Sequence, residues 1–123
     1  MPLEQILRGY NEGHPNSQAQ LRRPESGDLV IALSGELGMK ASSDIAPLLD
    51  AALLECAPRG RIVLDLGSVG YISSTGVGLL ATTMVKAEKI ALTLVLRSIP
   101  PRVRSIMDTL GLTSYFNVDG SCD

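Results

Sequence analysis

The sequence predicts a small α/β domain, a sheet of parallel strands layered with helices. Three observations predict it. Between residues 61 and 118, short apolar runs alternate with helical spacing in the order strand, helix, strand, helix, strand. Parallel neighbours need a crossover of a dozen or more residues, which each helix supplies. A further strand and helix between residues 28 and 56 add to the same sheet. The length of 123 residues suits one domain with a real core.

The elements follow in order. Residues 1–27 hold the only histidine, His14, and are rich in Asn, Gln, Gly, Pro and Arg, so they read as a mobile N-terminal arm. Within the arm, Leu3, Ile6, Leu7 and Tyr10 share one face of a short helix. That face suits a terminal turn docked on its own domain, or a segment that orders on a partner. "LVIALSG" is the first strand. "SSDIAPLLDAALLEC" puts Ile45, Leu48, Leu49, Ala52 and Cys56 on one helical face, with Ser42 or Ser43 as N-cap and a start near Pro47. "RIVLDL" is the second strand. "STGVGLLATTMVKAEK" is the next helix, with Val77, Leu80, Ala81 and Met84 on one face. "ALTLVL" is the third strand. "SIPPRVRSIMDTLG" is a helix with Ser98 as candidate cap, prolines in its first turn and Gly111 at its end. "YFNV" reads as a last edge strand, and residues 119–123 as a C-terminal tail.

Composition narrows the function. With 11 Lys and Arg against 13 Asp and Glu, the net charge is −2. A nucleic-acid binder shows a basic surplus or stripe instead. The aromatic residues, Tyr10, Tyr71, Tyr115 and Phe116, are too few and scattered for a base-stacking platform. Cys56 and Cys122 fit no metal spacing and read as free thiols of a reducing compartment. No apolar run approaches the roughly 20 residues of a membrane helix, and no signal peptide is visible. These features indicate a cytoplasmic protein that does not engage a membrane.

The informative stretch is "YISSTGVG", residues 71–78. It follows a strand and opens a helix, at the carboxyl edge of the sheet where ligands and partners meet such folds. It does not fit enzyme chemistry. A phosphate-cradling loop needs a lysine after its second glycine, and none follows Gly76. Gly76, Gly78 and Ala81 spell G-x-G-x-x-A, but Arg97 stands near where a dinucleotide site wants an acid. A nucleophile elbow wants a glycine two residues before Ser74, where Ile72 stands, and His14 in the arm is the only histidine. No metal set is visible, and neither a cofactor nor a catalytic residue is expected. Two readings of the hydroxyls remain. In one, a phosphate on Thr75 or Ser74 sits at a helix start, where N–H groups and the dipole favour an anion. Gly76 and Gly78 then let another protein approach. In the other, Ser73 or Ser74 simply caps and the glycines pack the helix against the sheet. Beyond the stretch, Arg97 and Ser98 end a strand at the same edge, and Arg97 can pair with a phosphate. Asp65 hydrogen-bonds the hydroxyl loop or faces solvent.

"IVLDLGSVGYISSTGVGLL" resembles the phosphorylation segment of STAS domains, the anti-sigma-factor antagonists of bacteria. "LSGELGMKASSDI" resembles their Gly-Glu-Leu-Asp signature before the first helix, and "IMDTLGLTSYFNV" resembles their last helix, Gly-Leu turn and final strand. The likeness runs from about residue 28 to 118. It implies a STAS fold, a mixed and mostly parallel sheet of four to five strands with helices packed on one side. It implies Thr75 as phosphoacceptor, with Ser74 as the neighbouring hydroxyl. It implies an anti-sigma serine/threonine kinase as partner and a serine/threonine phosphatase that resets the switch. Partner contacts are expected at Ser73, Gly76, Val77, Gly78, Gly38, Arg97 and Ser98, on a monomer or weak dimer. Two places depart from the pattern: Ser73 and Gly38 stand where the family carries aspartates. The alternatives are a STAS scaffold that is never phosphorylated, within a stress-sensing or lipid-transport complex, and a small nucleotide-binding domain.

Overall fold

The computed structural model describes residues 2–116, 118 and 119. Its elements are α1 (Leu3–Gly13), β1 (Ser17–Arg22), β2 (Leu29–Leu37), α2 (Met39–Glu55), β3 (Arg61–Ile72), α3 (Ser74–Lys89), β4 (Thr93–Arg97), α4 (Pro101–Thr109), a 3-10 turn (Thr113–Tyr115) and β5 (Val118–Asp119). The strands form one sheet in the order β1-β2-β3-β4-β5. β1 runs antiparallel to β2, and every other pair is parallel.

From β2 onward each new strand is added on the same side of the previous one. Crossovers of one hand that always step in one direction lay every helix on the same face. One apolar core results, shared by α1, α2, α3, α4 and alternate strand residues such as Ile31, Leu33, Ile62, Leu64, Leu94 and Leu96. Among the described residues, the opposite face carries the small buried row Val30, Val63 and Val95. The mixed sheet with helices on one side is therefore the fold of this chain.

The structure differs from the sequence reading in four places. The segment expected as an arm contributes a helix and an edge strand. Leu3 and Tyr10 are buried in the common core, which offsets the polar composition of the segment around them. α2 begins at Met39 with Gly38 as N-cap, and Pro47 lies inside the helix. Its N-terminal turns are held by packing rather than by a serine cap: the Ser42 hydroxyl instead donates to the Leu37 carbonyl (3.3 Å). α4 is preceded by Pro100, not capped by Ser98, which sits in a left-handed bend at φ 58°. The last strand is only Val118–Asp119, because Thr113–Tyr115 closes into a 3-10 turn. Gly111 does end α4, at φ +72°, with the Leu112 N–H on the Met107 carbonyl (3.0 Å).

Cys56 is a free thiol, and burial pushes its pKa up. Cys122 lies outside the described residues.

Candidate functional site

The hydroxyl stretch begins inside β3, which runs on through Ile72. Its last two residues pair with β2, Tyr71 with Glu36 and Ile72 with Leu37. The chain then turns at Ser73 into α3. The Ser73 N–H donates to the Leu37 carbonyl (2.9 Å), and the Ser73 hydroxyl accepts the Gly76 N–H (3.1 Å). One serine thus fastens the mouth of α3 to the end of the neighbouring strand and caps the helix. The same Leu37 carbonyl receives the Ser42 hydroxyl, so α2 and α3 start from one shared acceptor.

Ser74 and Thr75 are then the first two helical residues, and both are exposed. The two glycines beside them have opposite duties. A Cβ on Gly76 would lie 2.6 Å from Ile72 Cγ1 and 2.8 Å from Ser42 Oγ, so only glycine lets α3 approach the sheet and α2 this closely. Gly78 is exposed, and a Cβ there would meet nothing within 4 Å. Gly76 therefore serves packing, while Gly78 leaves the surface beside Thr75 low.

Several expected partner residues are placed elsewhere. Val77 is 0% exposed, because it continues the inward stripe of Leu80, Met84 and Ala87. Gly76 is likewise buried. Gly38 is half-buried at the start of α2 and does border the hydroxyl corner. Arg97 alternates with buried Leu96, so its side chain lies on the helix-free face. There it borders a cleft with Arg22, Arg23, Pro24 and Val30. The structure does not bring it to Thr75. Ser98 packs near Gly67, whose added Cβ would meet the Ser98 Cβ at 3.3 Å. Asp65 turns back on its own strand and accepts the Gly67 N–H (2.9 Å), rather than bonding the hydroxyl loop.

Two side chains at this corner were not anticipated. Met39 is 70% exposed at the first residue of α2, and Tyr71 is 45% exposed at the end of β3. A helical wheel gives a signal for Met39: it falls off the stripe of Ile45, Leu48, Leu49 and Ala52, whereas Ser42 falls on it and is buried. Both lie at the carboxyl ends of the paired strands β2 and β3, Met39 on the helix side and Tyr71, which alternates with buried Ile72, toward the helix-free face. One turn into α2, Asp44 is shared by Lys40 (3.1 Å) and His14 (2.9 Å), and these two hydrogen bonds hold its carboxyl below the ordinary range. The corner presents hydroxyls, backbone and apolar surface, a composition suited to binding a protein. Among the described residues, no group of His, Cys, Asp and Glu is arranged to hold a metal ion. No helix among them is long and apolar enough to cross a membrane.

The STAS domain family model matches residues 19–123. The chain belongs to the STAS domain family. As a STAS domain it is 33% identical over 97 residues to BtrV of Bordetella bronchiseptica, a protein classed among anti-sigma factor antagonists. That match covers 77% of this chain and 80% of BtrV. Its fold is similar to that of a STAS protein of Planctomyces limnophilus, with TM-score 0.73 at 17% identity over 84% of this chain and 90% of that one. It is also similar to the Bacillus cell fate determinant SpoIIAA in its phosphorylated form, with TM-score 0.62 at 24% identity over 84% of this chain and 92% of that one. The chain is thus a STAS domain of the anti-sigma-factor-antagonist kind.

Proposed function

We propose that this STAS domain is a binding protein, not an enzyme, whose grip on an anti-sigma serine/threonine kinase is switched by phosphorylation of Thr75. One observation carries the reading: Thr75 is exposed on the first turn of α3, and Ser73 pins that turn to Leu37 and Gly76. A phosphate there adds close to two negative charges. The positive end of α3 accommodates them within the domain itself. A partner docking on Met39, Tyr71 and the Gly78 surface must desolvate that charge, so binding weakens. The relative SpoIIAA, whose fold this chain shares, is described in a phosphorylated form, which supports the same chemistry here. Cytoplasmic location and a resetting phosphatase belong to this reading.

The test is to incubate the protein with anti-sigma kinases of its host and ATP, then map the site by mass spectrometry. Phosphate on Thr75 is expected. Thr75→Glu should weaken kinase binding about tenfold or more, equal to about 1.4 kcal/mol, while Thr75→Ala should bind as wild type. A kinase that binds but never modifies Thr75 or Ser74, with Thr75→Glu binding normally, would leave the scaffold reading. That second reading has its own observation: Ser73, standing where the family carries an aspartate, is committed to capping α3.

A further inference from the structure

A strand at the edge of a sheet presents N–H and C=O groups that another strand can pair with. β1 is such an edge, since among the described residues its only neighbour in the sheet is β2. Its outward groups can be followed residue by residue. The Ala19 N–H donates to Asn11 Oδ1 (2.8 Å), and Asn11 Nδ2 donates to the Ala19 carbonyl (2.9 Å). A single side-chain amide thus makes both bonds that a neighbouring strand would make at that position. One rung earlier, the Ser17 N–H donates to the His14 carbonyl (3.0 Å). Gln18 Nε2 braces the same turn through the carbonyls of Asn11 (2.9 Å) and His14 (2.7 Å). The third outward rung is Leu21, which α1 does not cover in this way.

We propose that the outer edge of β1 is a pairing surface for a second copy of this chain, and that Asn11 closes it. The occupant follows from the strand itself. Two copies paired antiparallel about Ala19 set Gln18 against Gln20, Ser17 against Leu21 and Arg22 against Asn16. No like charges oppose one another, so nothing in β1 alone forbids a continuous sheet across the pair. What forbids it is α1, which holds the amide on the central rung. The plug comes from outside the matched family region, which begins at Ala19. The edge is distinct from the hydroxyl corner, and the proposal does not depend on Thr75.

The experiment is size-exclusion chromatography with light scattering, run on the full chain over a concentration series. Wild type is expected to keep the monomer mass. Asn11→Ala bares both groups of Ala19. It is expected to reach twice the monomer mass at concentrations where wild type does not. Adding Ala19→Pro removes the pairing N–H and is expected to restore the monomer. Asn11→Asp keeps an acceptor for the Ala19 N–H but loses the donor to its carbonyl. It should dimerise more weakly, and it supplies the reading if Asn11→Ala does not fold. Monomer mass across the whole series for folded Asn11→Ala, or for Asn11→Asp where Asn11→Ala does not fold, overturns the proposal. So does a dimer that survives Ala19→Pro.

Discussion

The hydroxyl corner and the α1–β1 segment are both polar in sequence and both ordered in the structure, but they are ordered by different means. At the corner a cap short in sequence is joined to one shared acceptor across the chain, the Leu37 carbonyl that takes the Ser73 N–H and the Ser42 hydroxyl. Ser73 reaches Gly76 three residues on, and Gly76 is small because Ile72, four residues back, lies beneath it. In α1–β1 the segment's own bonds, Asn11 to Ala19 and Tyr10 to Ser17, are joined by several that cross the chain at exposed or half-exposed side chains. The Leu3 N–H donates to Glu55 (2.6 Å), Arg23 pairs with Glu4 (3.1 Å) and Glu55 (3.2 Å), and His14 pairs with Asp44 (2.9 Å). A corner pinned to the end of a central strand and packed on a second helix keeps its shape when a partner arrives or departs. A segment held by distant contacts can be released as a unit when those contacts fail.

The largest effect should come from the distant contacts. Leu3 is completely buried, and Leu3→Ala should cost about 2–5 kcal/mol in urea unfolding. If α1 were only a loose arm, the cost would be near zero. Next comes the contrast between the two glycines. Gly76→Ala forces a methyl into Ile72 and Ser42 and should cost about 1–3 kcal/mol. Gly78→Ala, with open space around it, should stabilise α3 by up to about 1 kcal/mol through helix propensity. Equal effects at the two positions would remove the division of labour between them.

The smallest effect is the pH dependence of the contact between α1 and α2. Lys40 and His14 hold the Asp44 carboxyl below its ordinary value of 3.8. Its contribution to stability is therefore present above that value and lost as pH falls through the lowered one. Arg61 lowers Asp28 in the same way, chiefly through its hydrogen bond, and adds to the same acid limb. Asp44→Asn should flatten part of that limb in acid unfolding followed by circular dichroism. An unchanged limb would show that the His14–Asp44–Lys40 cluster does not contribute to docking α1.

Much of the α/β order was legible because each crossover helix carries its own apolar stripe. Val77, Leu80 and Met84 announce α3, and its start at Ser74 follows from the serine before it. The exposed Thr75 was legible for the same reason, as a residue that follows a cap and lies off the stripe. The role of Arg97 was not legible. Position at a strand end gives the edge of the sheet, but the alternation of side chains decides the face, and Arg97 falls on the helix-free one. The start of α2 was misjudged because Pro47 signals a helix beginning, whereas here packing against α1 and α3 outweighs the lost hydrogen bond.

By itself, the sequence determined the alternation of strand and helix, the family and the hydroxyl pair at the start of α3. Each of these is written in residues close together along the chain, where periodicity and capping act. Only the tertiary structure decided that residues 3–22 join the domain, that Gly76 packs against Ser42 of α2, and that Asn11 closes the edge of β1. Those outcomes depend on which distant backbone or side chain arrives within contact distance, and no local pattern encodes that.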